Sequence, residues 1–112
     1  MIAERLTLRR NIDFRLFHAI CRILDASYGR GVSESVILTF EREAGLQAPE
    51  IVNYPEIFDK VIGKIFGKRA ANNVRSLLKR EIAGEFGLQF SNKTMLSEAI
   101  RIVTQKPRPI DN

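Results

Sequence analysis

The sequence has very little of three things: it contains one cysteine, one histidine and no run of more than three apolar residues. A single cysteine, Cys21, cannot form an intramolecular disulfide or supply a multi-cysteine zinc site, which agrees with a reducing compartment. Apolar runs this short fit neither a signal-peptide core nor a membrane-spanning helix of about 20 residues. We therefore expect a cytoplasmic protein that is stabilised by packing and has no membrane partner.

Length and composition favour one folded domain. The chain has 112 residues, of which 45% are hydrophobic and 28% charged, so it has enough apolar surface to bury a single core. Its net charge of +5 and its pI near 9.8 favour acidic partners, although proteins that bind no nucleic acid also carry such a surplus. Whether the net charge indicates an acidic partner therefore depends on whether the basic residues cluster on one face.

Helical periodicity and helix-ending residues predict an all-α fold, a single-domain bundle of about five helices. No alternating pattern indicates a strand. The first helix covers residues 13–28, the second follows Ser33 as N-cap, Pro49 begins a short turn, Pro55 begins the third helix, and Ser91 or Asn92 caps the fifth. Glycines end the first four helices, at Gly29, Gly45, Gly67 and Gly87.

Apolar residues three and four apart define the face of each helix that we expect in the core. In chain order the five sets are Phe14, Phe17, Ile20, Cys21, Leu24 and Tyr28; Val36, Ile37, Phe40 and Ala44; Ile57, Phe58, Val61, Ile62 and Ile65; Ala70, Val74, Leu77, Leu78 and Ile82; and Met95, Leu96, Ala99, Ile100 and Val103.

The ends of the chain differ from this pattern. Residues 1–12 are expected to be a basic arm or a short helix, and residues 13–105 form the helical domain. Residues 106–112 begin with Lys-Pro-Arg-Pro, which cannot continue a helix, so an extended tail is predicted.

Several short motifs lie within residues 29–88. Residues 41–46 end a helix as Glu-x-x-x-Gly-Leu, residues 55–58 read Pro-Glu-x-Phe, and residues 65–67 read Ile-Phe-Gly before an alanine-bearing helix that ends in Phe-Gly-Leu at 86–88. This half of the chain resembles the small archaeal domain family named the Nitrosopumilus output domain. The resemblance implies an archaeal source, an all-α domain and an output or adaptor role in signal transduction. The family has no assigned functional residues that could be transferred to this sequence.

His18 and Cys21 are the first candidates for chemistry, because a thiolate and an imidazole three residues apart on a helix can form a nucleophilic pair. On the helical wheel, however, Cys21 lies inside the apolar stripe and His18 at its polar edge, beside Arg22 and Asp25. We therefore expect Cys21 to be a small buried hydrophobe and assign no catalytic role to either residue.

Glu81 and Glu85 lie four apart on the predicted fourth helix and project towards its apolar side, where carboxylates are costly unless paired or bound to a cation. A di-metal site in a bundle needs Glu-x-x-His motifs, which the single histidine does not supply. The last turn of this helix is expected to extend past the core or to meet basic side chains of another helix or subunit. With no catalytic residue, metal or cofactor assigned, the sequence predicts a protein that is not an enzyme.

Two glycine-containing stretches bear on phosphate binding. Residues 63–68 are not a Walker loop, because Ile62 and Arg69 stand where that motif requires Gly and Ser or Thr. The turn at residues 29–31 has backbone N–H groups that an anion would bind, although glycines between helices more often serve as helix ends alone.

A basic face on the predicted fourth helix is the main candidate for binding. At 100° per residue it combines two adjacent stripes, uninterrupted by acidic residues, and Lys60 and Lys64 add positive charge nearby. Such side chains suit phosphates and base edges, and they suit an acidic protein surface equally well. The candidate contact residues are Lys68, Arg69, Asn72, Arg75, Lys79 and Arg80, with Asn73 and Ser76 between them.

The leading hypothesis is a non-enzymatic regulatory or protein-interaction module of the signal-output or adaptor type, whose partner is another protein or a second copy in a homodimer. The alternative is a nucleic-acid-binding protein that uses the basic face, helped by Arg9 and Arg10 of the N-terminal arm. The standard DNA-binding helix-turn-helix register is absent, since Asn73 and Ser76 are polar at positions that should be buried. No aromatic residue on this face would stack on a base of single-stranded nucleic acid.

Overall fold

The computed structural model describes the backbone of residues 2–105 and the side chains of residues 11–105. Within these residues the chain forms four α-helices and one 3₁₀ turn: α1 (Ile2–Tyr28), α2 (Val32–Ala44), the turn Ala48–Val52, α3 (Pro55–Phe86) and α4 (Leu96–Thr104). No strand occurs in this part of the chain, which confirms the all-α prediction. The described residues form four helices and not the predicted five, because the predicted third and fourth helices join at Gly67 without a loop and together make up α3.

Helix α3 is broken at one residue. Gly67 has φ 81° and ψ 164°, a combination that only glycine adopts without strain, while the residues on either side are helical. Asp59 and Arg75, 16 positions apart on opposite sides of this break, are joined by a 2.7 Å contact. In a straight helix they would be about 24 Å apart. The first half of α3 (residues 55–66) and its second half (residues 68–86) therefore fold back on each other as a hairpin.

Most of the predicted helix ends are confirmed. Gly29, Gly45 and Gly87 have positive φ and follow the last residues of α1, α2 and α3. Pro55 is the first residue of α3, and Pro49 lies in the first turn of the 3₁₀ segment.

Two predicted caps are wrong. Gly31, not Ser33, precedes α2, because Ser33 already lies inside the helix. Met95 precedes α4, and the hydroxyl of Ser91 instead forms a hydrogen bond with that of Thr94.

Helix α1 begins at Ile2, so its backbone is helical through most of the segment for which an arm or a short helix was expected. None of the helices within residues 2–105 is long and apolar enough to cross a membrane. The predicted extended tail, residues 106–112, lies outside the described residues.

One core joins all the helices and the 3₁₀ turn. Its buried aromatic side chains are Phe40 of α2 and Phe58 of α3, surrounded by aliphatic residues from α1, α3 and α4. The radius of gyration is 13.7 Å, close to the roughly 13 Å expected for a compact domain of this length. The described residues thus form one domain.

The buried face of α1 differs from the predicted one. Phe14 and Tyr28 are exposed, and Phe17 and Cys21 are half-buried. The predicted and observed faces share two residues and differ by a rotation about the helix axis. The aliphatic side chains occupy the centre of the core, whereas Phe17 packs at its edge and Tyr28 contacts Phe66 of α3. The buried residues of α1 are Leu16, Ala19, Ile20, Ile23 and Leu24.

The other predicted faces are largely confirmed. In the second half of α3, Ala71 is buried in place of Ala70. Ile65 and Met95 are exposed and do not belong to the core, and several partly buried residues lie at its edge. The predicted residues that are fully buried are Val36, Phe40, Phe58, Val61, Ile62, Val74, Leu78, Ile82, Leu96, Ala99, Ile100 and Val103.

Candidate functional site

A groove runs along the second half of α3, between this helix and residues 88–96. It consists of two adjoining cavities of about 680 Å³ and 390 Å³, which share Ser76 and Lys79. Arg80, Ala83 and residues 88–92 complete the larger cavity. The smaller cavity is completed by Asp59, Asn72, Arg75 and residues 94–96. We call this feature the basic groove.

The chain beyond Gly87 forms the second wall of the basic groove. Gly87 adopts a left-handed conformation (φ 64°), and the N–H of Leu88 donates to the carbonyl of Ala83 at 2.9 Å, which ends the helix. Leu88 and Phe90 then pack at the edge of the core, while Gln89 and Ser91 between and after them are exposed. The packing of these two side chains holds the segment beside the helix.

Lys79 and Arg80 both line the larger cavity of the groove. Lys79 Nζ donates to the carbonyl oxygen of Ser91 at 3.3 Å, which leaves two of its three N–H donors for another acceptor. Arg80 has 74% of its side chain exposed, and its only described partner is Glu81, at 3.7 Å. An exposed ion pair of this kind contributes little, so Arg80 remains available to a ligand.

Arg75 is used within the fold. Its Nε donates to Asp59 Oδ1 at 2.7 Å, and its two terminal nitrogens donate to the Asp59 carbonyl at 3.1 Å and to Asn72 Oδ1 at 3.0 Å. Two of its five donors thus hold the two halves of α3 together, and a third binds Asn72 within the second half. A Cβ atom on Gly63 would lie 3.1 Å from this guanidinium, so the glycine makes room for it.

Lys68 and Arg69 follow the break at Gly67 and are exposed. Neither side chain forms a hydrogen bond or ion pair with any residue from 11 to 105, and neither lines the basic groove. The six predicted contact residues therefore fall into three groups: Lys68 and Arg69 outside the groove, Asn72 and Arg75 in the hairpin contact, and Lys79 and Arg80 at the larger cavity.

Lys64 lies in a different place from the basic groove. It forms an ion pair with Glu43 of α2 and thereby lowers the pKa of that carboxyl below its ordinary range. Lys60 and Lys64 line a separate cavity of about 290 Å³ with Ile57 and Val61. The charge of Lys64 links α2 to α3, and neither lysine lines the basic groove.

His18 and Cys21 have separate surroundings. The His18 ring contacts the rings of Phe14 and Phe17, with centroids 4.5 and 5.8 Å away. Cys21 is half-buried, and burial together with the nearby charge of Asp25 raises the pKa of its thiol, although a hydrogen bond with Ser33 opposes the rise. A raised pKa disfavours the nucleophilic thiolate.

Glu85 meets basic side chains of α1, one of the two arrangements expected for it. Arg22 lies 3.5 Å from its carboxylate, and Arg15 donates to its backbone carbonyl at 2.8 Å. Arg15 also lies 4.5 Å from the centre of the Phe86 ring. Glu81 is exposed. Among the described residues, no group of three or more His, Cys, Asp or Glu side chains is placed to hold a metal ion.

The turn at residues 29–31 already has an anion. Asp25 of α1 accepts hydrogen bonds from the N–H and the hydroxyl of Ser33, both at 2.9 Å. These bonds and one from Gly31 lower the pKa of the Asp25 carboxyl, although partial burial opposes the shift. The carboxylate satisfies the N-terminus of α2, so a side chain of the protein itself takes the place of the anion considered from the sequence.

No family model matches the chain, and searches of curated proteins and of solved structures found no match. The resemblance of residues 29–88 to the Nitrosopumilus output domain family stays a prediction.

Sequence reasoning located one wall of the basic groove and missed the other. Ser91 and Asn92 were predicted as helix caps, whereas both line the larger cavity together with Leu88 and Phe90. The signal that was available is the alternation of apolar residues after Gly87, which is typical of an extended segment with one buried side.

Proposed function

We propose that the protein is a non-enzymatic interaction module of a regulatory type that binds an acidic segment of a protein partner in the basic groove. The observation that carries this proposal is that Lys79 and Arg80 face a concave cavity of about 680 Å³. A concave surface with both cations and apolar side chains suits an extended or helical peptide segment. The resemblance to the output domain family implies a role of the same class.

The alternative is binding of duplex nucleic acid by the basic face, which the exposed Lys68, Arg69 and Arg80 favour. A helix that reads a major groove about 12 Å wide must present a protruding face. Residues 88–96 instead cover one side of this helix, and Arg75 is held by Asp59. The geometry therefore supports a protein segment better than duplex DNA.

A selection from a random peptide library displayed on phage, with the full chain immobilised, tests the proposal. We expect enrichment of peptides that combine Asp or Glu with apolar residues. The double variant Lys79→Gln and Arg80→Gln should lose these peptides, whereas Lys68→Gln and Arg69→Gln, with the same change in charge on the same helix, should retain them. A selection that enriches no acidic peptide would contradict the proposal.

Fluorescence anisotropy with a labelled random duplex DNA tests the alternative. Binding through several phosphates weakens steeply between low and near-physiological salt. DNA binding that persists at near-physiological salt, and whose salt slope is flattened by Lys68→Ala and Arg69→Ala, would favour nucleic acid over the protein partner. Absence of binding even at low salt would remove the alternative.

A further inference from the structure

The larger cavity of the basic groove has a polar and an apolar part, and no acidic residue lines it. The polar part has Lys79 and Arg80 on the helix, facing Asn92 across the groove. Ala83, Leu88 and Phe90 supply apolar surface. Cations next to an apolar surface match a ligand in which an acidic group and an apolar group are neighbours.

We infer that this cavity binds an acidic side chain flanked by apolar side chains: the carboxylate is held by Lys79 and Arg80, and the apolar neighbour packs on Leu88 and Phe90. The inference rests on the proposed function and specifies the chemistry that the partner segment presents.

The charges in the cavity support this assignment. Lys79 has two free donors, and Arg80 is mostly exposed, so both can reach a carboxylate without breaking a contact that the fold needs. Arg75, by contrast, would have to leave Asp59. Charge-assisted hydrogen bonds from an arginine and a lysine are the strong contacts that fix a carboxylate.

The apolar part of the cavity determines whether it prefers an acidic side chain with apolar neighbours or an anion without them. Leu88 and Phe90 pack at the edge of the core with part of each side chain still exposed. Covering this apolar surface contributes favourably to the free energy of binding, and neither a small inorganic anion nor a run of acidic residues can supply that contribution. The cavity should therefore discriminate against both.

The test titrates the ¹⁵N-labelled full chain with each of three blocked tripeptides and measures binding by NMR. The probe is N-acetyl-Leu-Glu-Phe-amide, the uncharged control replaces Glu with Gln, and the polar control replaces Leu and Phe with Ala. We expect a dissociation constant on the order of millimolar for the probe and binding at least about fivefold weaker for both controls. Amide shifts should concentrate at residues 76–92.

A matched pair of variants locates the carboxylate. Arg80→Gln should weaken the probe by roughly tenfold, whereas Arg69→Gln, an exposed arginine on the same helix outside the cavity, should leave it unchanged. Gln89→Glu adds a negative charge to the cavity at an exposed position and should also weaken the probe. Equal effects of the two arginine variants, or equal binding of the probe and the Ala control, would overturn the inference.

The two proposals fail in different ways. If phage selection yields acidic peptides but the probe shifts amides only outside residues 76–92, the interaction function stands and this cavity assignment is wrong. If the probe binds at residues 76–92 with the expected preferences and the selection yields nothing, the cavity assignment stands and the proposed function is contradicted.

Discussion

Two very short junctions connect helical segments of this protein, and an aspartate closes each of them. At residues 29–31, Asp25 accepts hydrogen bonds from Ser33. At Gly67, Asp59 accepts hydrogen bonds from Arg75. The first junction uses uncharged donors, whereas the second uses a cation from the basic face. A charge on a helix face can therefore belong to the fold, so not every basic residue of the face is free for a partner.

Removing the arginine from the second junction should have the largest effect. Both members of the Asp59–Arg75 pair are less than one-third exposed, so Arg75→Ala leaves a partly buried carboxylate without its partner. We expect a loss of about 2 to 3 kcal/mol in the free energy of unfolding, measured by urea denaturation. Arg80→Ala, a mostly exposed arginine on the same helix, should change it by less than about 0.5 kcal/mol. Equal losses would show that the hairpin does not depend on Arg75.

Changing the backbone at the second junction should have the next largest effect. Gly67→Ala forces a residue with a Cβ into backbone angles that favour glycine, and we expect a loss of about 1 to 2 kcal/mol. Gly84 lies in the same element at an exposed helical position, and a Cβ there would meet nothing within 4 Å. Gly84→Ala should therefore stabilise the protein by about 0.5 to 1 kcal/mol. Thermal unfolding should shift the two midpoints in opposite directions, and a shift in the same direction would contradict the break at Gly67.

The first junction should give a smaller effect that depends on pH. The folded pKa of Asp25 lies below its ordinary value of 3.8, so its bonds stabilise the fold above about pH 4 and are lost as pH falls through the folded pKa. The melting temperature of Asp25→Asn should be lower than that of the wild type near neutral pH, and the difference should shrink below about pH 4.

A serine pair provides the control for this pH prediction. Ser33→Ala should reproduce part of the loss at neutral pH, whereas Ser35→Ala, at an exposed position of α2, should not. A difference between wild type and Asp25→Asn that stays constant down to acid pH would show that the carboxylate charge is not what closes this junction.

The sequence predicted the helix ends made by proline and glycine better than it predicted the buried face of α1. Pro55, Gly45 and Gly87 were located correctly because they act through local backbone conformation. The buried face of α1 was not predicted correctly. Phe14 and Leu16 belong to overlapping apolar stripes, and which stripe is buried depends on what packs against the helix. Periodicity is a property of one helix, whereas burial depends on its neighbours.

The same distinction explains the outcome for the candidate site. The basic face was found because its residues share one helix and a 100° period. The assignment of Arg75 to the hairpin depends on Asp59, 16 positions away, and the second wall of the groove depends on how Phe90 packs. The Arg75–Asp59 contact leaves no signal in local sequence, and the alternation after Gly87 indicates a buried side without indicating which helix the segment lies beside.

The break at Gly67 also determines which molecule completes the fold. A continuous helix over the 32 residues of α3 would be about 48 Å long, longer than the 44 Å greatest extent of the protein, and Arg75 would no longer reach the Asp59 of its own chain. The same contacts would then form only if two chains exchanged the halves of α3, as in a domain-swapped dimer. The backbone angles of one glycine thus keep the hairpin intramolecular.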